Sequence, residues 1–337
     1  MTLFLIIGCN NGGGEDPQKV FLTSIANLGK GFLDVFVTFG DMVTGAFGIK
    51  AETKKSEVGQ YFTSIAETME SVKKKLQSEV TKNGNYEKVK TVVDQFITGT
   101  LDKIAAGAKE AAKGATEEDK IGGAPTTGQD PAPADATSVN SLVKGIKTIV
   151  GVVLKSNEGN AEATKTADTE KKSIGKLLGK KDDGTEAHAA AASASIGAVS
   201  GADILQAIAK SGEVANNDVG IDKAKNAAEI AAAKKEDDKE ITIDSAKKDA
   251  VIAAGIALRA MAKDGKFAVK AEEKSAHAVN GVAASAVGKT LSTLIIAIRN
   301  TVDSGLKNIN KVLATVKQED KSAEATNTVG STASAQN

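Results

Sequence analysis

Tryptophan is absent from this sequence, and aromatic residues make up only 3% of its 337 residues. Ten of the eleven Phe and Tyr residues lie at or before Phe96, and only Phe267 falls later. A dense aromatic core is therefore open to the first hundred residues alone. The rest must pack through Ala, Val, Ile and Leu, whose small side chains let helices approach closely. Four prolines occur, three of them in one segment at Pro125, Pro131 and Pro133, so long stretches carry no helix breaker. A single cysteine, Cys9, excludes an internal disulfide and a cysteine-built zinc site. Neither sign of charge is in excess, with 43 basic against 43 acidic residues. The chain as a whole thus lacks the electrostatic footprint of a nucleic-acid or anionic-membrane binder.

What remains is a composition suited to an all-α protein. Hydrophobic residues reach 41%, enough for a real core, and alanine has the highest helix propensity of any residue. From Gln18 to Ile49 the apolar positions Phe21, Leu22, Ile25, Leu28, Phe32, Val35, Phe36, Phe39 and Val43 recur at three and four, which predicts an amphipathic helix. A second helix follows over Glu52–Lys82, through Val58, Phe62, Ile65, Met69, Val72, Leu76 and Val80. Asn83-Gly84-Asn85 stops it. The third runs from Tyr86 to Lys113. Three long helices joined by short turns fold back on one another.

Residues 114–138, rich in Gly, Pro, Thr and Asp, read as a mobile loop. Beyond it the pattern is patchy. Val139–Leu154 is a short apolar helix, Ile174–Leu178 a helical fragment, Ala187–Lys210 an Ala-rich helical stretch, and Ile221–Lys235 a weakly amphipathic helix. Polar loops are expected at 155–170, 180–186, 211–220 and 234–243. An apolar helix ends at Lys263-Asp264-Gly265, and a long C-terminal helix carries its stripe to Val316. After Lys317 the chain is polar and reads as a disordered tail. The first and last helices are expected to pair in an elongated bundle, with both termini at one end and the irregular loops at the other. One helical domain spans 18–316.

The N-terminus carries one chemical signal. Residues 3–8 read Leu-Phe-Leu-Ile-Ile-Gly, and Cys9 follows. An apolar run that ends in a small residue before cysteine is the pattern of a lipoprotein cleavage box, in which the Cys9 thiol receives diacylglycerol. Residues 10–17 then form a Gly-rich tether. The run falls short of the roughly 20 residues that span a bilayer. It is also short for a signal peptide and has no basic residue before it, so residues 1–9 are expected to be the end of a longer signal segment. The competing reading is a free cysteine near a frayed terminus.

No catalytic constellation emerges. His188 and His277 each sit between alanines, without metal-ligand spacing. Gly288-Lys289-Thr290 resembles the end of a phosphate-binding loop, but Ala283 stands where that motif needs glycine. In Gly197-Ala-Val-Ser200-Gly201 the serine comes one place too late for a nucleophile elbow. Asp237 and Asp238 fall in a solvated charge run. The sequence predicts no enzyme, no cofactor and no metal.

The segment Lys247-Lys-Asp-Ala-Val-Ile-Ala-Ala-Gly-Ile-Ala-Leu-Arg-Ala-Met-Ala-Lys-Asp-Gly-Lys-Phe-Ala-Val-Lys270 closely resembles the invariable region of the variable surface lipoprotein of Lyme spirochaetes. It equally resembles its counterpart in the variable large proteins of relapsing-fever Borrelia. The cysteine box, Phe21–Gly48, Ala187–Gly212 and the C-terminal helix carry the same likeness. The resemblance implies an outer-membrane lipoprotein facing outward, anchored by acylated Cys9 and met by host antibodies. It implies escape from those antibodies by switching between versions. It also implies a helical fold with membrane-proximal termini and variable distal loops. Capture of a host serum or matrix protein, such as a complement component or plasminogen, is the alternative role, and a homodimer is open. Within such a frame the helix Ser245–Lys263 is apolar enough to be largely buried.

Overall fold

Apolar residues spaced three and four apart form helices in the computed structural model, which describes residues 17–42, 48–83 and 86–317. In chain order the helices are α1 (Pro17–Met42), α2 (Lys55–Lys82), α3 (Glu87–Phe96), α4 (Asp102–Ala112), α5 (Ala136–Val153), α6 (Asp168–Ser173), α7 (Glu186–Ala198), α8 (Gly201–Lys210), α9 (Ala227–Ala231), α10 (Asp249–Met261) and α11 (Glu273–Leu313). Among the described residues β-pairing is limited to isolated bridges. The architecture is all-α, as expected. Cys9, the signal and tether segments and the tail after Lys317 lie outside the described residues.

α11 is the spine. Its 41 residues make a rod about 60 Å long. Along it, Asn280 bonds the loop residue Ala124 in both directions. Farther on, the Leu291 carbonyl accepts from Tyr61 Oη at 3.1 Å, Gly305 lies beneath the Phe96 ring, and Leu313 faces Gly29 of α1. The N- and C-terminal helices therefore pair. At the same end Phe21 meets Tyr86 edge to face at 5.9 Å, and Ser24 Oγ bonds the Asn83 carbonyl. Pro17 and Lys317 thus leave the bundle at one end.

α1 and α2 bury the stripes that the sequence predicts, Leu28, Phe32, Val35 and Phe39 on one and Val58 through Val80 on the other. The third predicted helix is present but has a π-helical turn at Ile97–Leu101 between α3 and α4. The wider turn re-aims the helix face, so that α3 packs on α11 while α4 packs on α2 and α5. At the α4–α5 crossing, a Cβ on Gly145 would lie 2.4 Å from both Ala111 N and the Gly107 carbonyl. Only glycine admits this approach.

α10 lies at the centre, with all 13 residues buried against α7, α8, α9 and α11. Ala-rich composition permits this, because small side chains let neighbours close in on every side. The apolar helix expected to be largely buried is enclosed completely.

Three local expectations are corrected. The stretch Ala187–Lys210 is two helices meeting at 98°, because Ser200 starts a new one. Its Oγ accepts from Asp203 N, and the Asp203 carboxylate accepts from Ser200 N at 2.7 Å, a reciprocal capping box. The helix expected over Ile221–Lys235 shrinks to α9, since Asn226 caps it at one end and its last carbonyls are taken by distant side chains. The segment 114–135 is not a free linker. It buries Ile121, Ala124 and Ala134, and it is stitched by paired backbone bonds between Ala132 and Lys266 and between Gln129 and Val269.

Candidate functional surface

Loops can be displayed only if their backbone is held, and here three buried ionic side chains hold it. Arg259, one of two arginines in the sequence, sits in the last turn of α10, fully enclosed. Its Nε donates to the Lys266 carbonyl at 2.9 Å, and its Nη1 donates to the carbonyls of Ala231 (2.9 Å) and Ala233 (3.1 Å). The guanidinium lies 5.9 Å from the centre of the Phe267 ring. Burial pushes its pKa down, to about 9. The charge serves both the local carbonyls and the negative end of the helix dipole.

Lys55, at the start of α2, is the second. Its Nζ donates to the Ala262 carbonyl at 2.7 Å and the Gly265 carbonyl at 2.9 Å, and it meets Glu117 Oε2 at 3.3 Å. Burial lowers its pKa against the opposing pull of Glu117. The same Glu117 oxygen accepts from Asp264 N at 2.9 Å, and Asp264 holds a left-handed φ of 64°. One carboxylate thus fixes the tight turn after α10.

Asp249 opens α10 and is the third. Its carboxylate accepts from Lys165 N (2.5 Å), Thr166 N (2.9 Å), Thr166 Oγ1 (2.5 Å) and Ser195 Oγ (2.7 Å). Burial pushes its pKa up, but these bonds prevail and hold it below the usual carboxylate range.

The loops gather at the end of the molecule opposite the termini. Segments 114–135, 180–186, 211–220, 234–243 and 262–272 interlock there. Lys180 pairs with Asp238, Lys235 with Asp130, Lys239 with Asp222 and Lys266 with Asp119. Asn217 Nδ2 donates to the carbonyls of Ala134 and Ala232, and Asn140 exchanges two bonds with Val214. Segment 155–170 departs from the expected position. It lies on the flank, where Asn160 N bonds Asp203 at 2.6 Å and Lys165 bonds Asp249, about 20 Å away along α10.

The remaining sequence candidates have structural roles. Lys289 Nζ caps α7 through the Ile196 carbonyl at 2.8 Å. Thr290 Oγ1 bonds back to the Ala286 carbonyl. His188 Nδ1 lies 2.6 Å from the Asp183 carbonyl, and His277 is exposed beside Glu273. Asp237 and Asp238 lie in the loop cap. No group of metal-ligating residues occurs among the described residues. A polar cleft of about 350 Å³ beside Lys55, Glu118, Lys120 and Lys266 opens among the ion pairs of the cap. α11 is apolar enough to span a membrane by composition, yet here it is a core helix against which α1, α3, α5, α7, α8 and α10 pack. Sequence reading missed the buried charges. A lone arginine inside the run Ala253–Met261 was the available signal.

The profile of the family described as Borrelia lipoprotein matches residues 32–313. Variable large protein 4 of Borrelia hermsii is 66% identical over 343 residues, covering 100% of this chain and 97% of that protein. Variable large protein 17 of the same organism is 66% identical over 344 residues, covering 100% and 96%. The crystal structure of the Lyme disease variable surface antigen VlsE of Borrelia burgdorferi matches with a TM-score of 0.76 at 37% identity. That match covers 87% of this chain and 98% of that one.

Proposed function

The chain belongs to the Borrelia lipoprotein family, among its variable large proteins, and from that premise we propose that its loop cap is the face offered to host antibodies. It is a surface lipoprotein of the outer membrane and not an enzyme. Its role is immune evasion by antigenic variation. The observation that carries the assignment of the cap is the division between α10, buried at every residue, and the exposed, ion-paired loops beyond its C-terminus. A sequestered helix with buried caps keeps the fold, while surface loops accept substitutions at little folding cost. Cys9 is the residue that carries the acyl chains.

Capture of a host serum protein would call for a contiguous exposed apolar patch on the cap. The exposed large hydrophobics among the described residues are Leu22, Leu33 and Ile296, on α1 and α11 and away from the cap.

Limited proteolysis of intact spirochaetes displaying the chain tests this reading. Early release of peptides from 114–135 and 211–244, with an acylated Cys9 at the mature N-terminus, is the expected result. Release only after lysis would overturn it.

A further inference from the structure

Among the described residues, the end of the bundle where the termini meet carries an uncovered face. Leu22 and Leu33 are each 59% exposed. They stand eleven residues apart, close to three helical turns, so they share one stripe of α1 with exposed Ala26 between them. Lys19 and Lys30, both exposed, border the stripe. It flanks the buried stripe of Leu28, Phe32 and Val35, roughly a third of a turn round the helix. Further lysines lie at this end, beside the acidic residues Asp34, Glu79, Glu87 and Asp303. Lys82 is in the last turn of α2, and Lys307 and Lys311 are on the last turns of α11. Seven residues separate Cys9 from Pro17. The eight Cα-to-Cα steps from Cys9 to Pro17 can reach no farther than roughly 28 Å. Leu22 lies only about 8 Å up the helix from Pro17, and Leu33 about 24 Å.

We propose that the Leu22–Ala26–Leu33 face of α1 rests on the anionic lipid surface that carries the anchor, so that the molecule leans on its membrane instead of standing clear on its tether. The inference rests on the reading of Cys9 as the lipid-bearing residue. The leucines enter the headgroup boundary, and Lys19 and Lys30 keep their ammonium groups at the anionic phosphates while their stems cover apolar surface. Leaning turns the opposite flank of the bundle outward.

The test uses the full-length acylated protein on vesicles of phosphatidylcholine with phosphatidylglycerol. Acylation leaves Cys9 without a free thiol, so Ala26→Cys and, at the cap, Asn216→Cys each take one fluorophore. Spin-labelled lipid should quench the label at position 26 several-fold more than the label at 216. Added salt or omission of phosphatidylglycerol should reduce that quenching. In the Leu22→Glu, Leu33→Glu background it should be lost, while the protein still floats with the vesicles. Equal quenching at both positions in floating protein overturns the proposal. So does energy transfer between donor- and acceptor-labelled copies at position 26 that persists when surface density is lowered, which would identify a second copy as the occupant. Protein that fails to float and lacks acyl mass on Cys9 overturns the anchor itself, and this proposal with it.

Discussion

Lys55 Nζ donates to the Ala262 carbonyl at 2.7 Å across 207 residues of sequence, so the first residue of α2 ties down the turn that follows the central helix. Removing the ammonium leaves the Ala262 and Gly265 carbonyls buried without their donor. Lys55→Met should therefore lower unfolding free energy by about 1–3 kcal/mol. Urea denaturation followed by circular dichroism reads the change, and an unchanged midpoint would refute that role.

Arg259 closes a second set of carbonyls, on Ala231, Ala233 and Lys266. Arg259→Met leaves these buried carbonyls without their donor and should lower unfolding free energy by at least about 1–3 kcal/mol. Arg259→Lys should recover only part of it, because one ammonium cannot reproduce the planar fork. Recovery to full stability would mean that the charge matters and the geometry does not.

The pKa of Asp249 is depressed in the folded state. The unfolded chain therefore binds the extra proton, and stability falls as pH drops. The contribution of Asp249 is complete above its ordinary value of 3.8 and is lost as pH falls through its lower folded-state value. Asp249→Asn should be about 2 kcal/mol less stable at neutral pH, with a shallower loss of stability on acidification. Parallel acid profiles for the two proteins would rule this out.

Two glycines make a paired test of packing. Gly145→Val inserts atoms where the backbone of α4 already stands and should destabilise by several kcal/mol or prevent folding. Gly197 is at an exposed position of α7, and a methyl group added there would meet no atom within 4 Å. Gly197→Ala should therefore stabilise by about 0.5–1 kcal/mol. Thermal melts of the two variants should move in opposite directions.

On the loop cap, charge reversal of the Lys235–Asp130 pair should leave the denaturation midpoint within error, since exposed pairs contribute little. The same change should weaken binding of antiserum raised against the native protein. A large loss of stability would show that the cap is part of the frame.

The helices legible in the sequence were those with a long stripe. α1, α2 and α11 follow from the spacing of Phe32, Phe62, Leu294 and their neighbours, because a stripe of that length needs only one partner surface. The α7–α8 break was written in Ser200 and Asp203, as a capping box easily lost in Ala-rich sequence. α9 was not legible. Ala231, Ala232 and Ala233 are good helix formers, yet Arg259 and Asn217 take their carbonyls, and no local pattern reports a donor that distant. The ordering of 114–135 was hidden for the same reason, since its partners are Lys266 and Val269.

Sequence alone determined the all-α class, the long terminal helices, the absence of a catalytic constellation and the cysteine pattern at the N-terminus. These depend on composition and on periods of a few residues. Tertiary structure decided which irregular segments are held, where α9 stops, and that Lys55, Asp249 and Arg259 are buried. Those outcomes depend on which carbonyls and amides lose water when the helices close around α10, and only the folded arrangement brings their partners within reach.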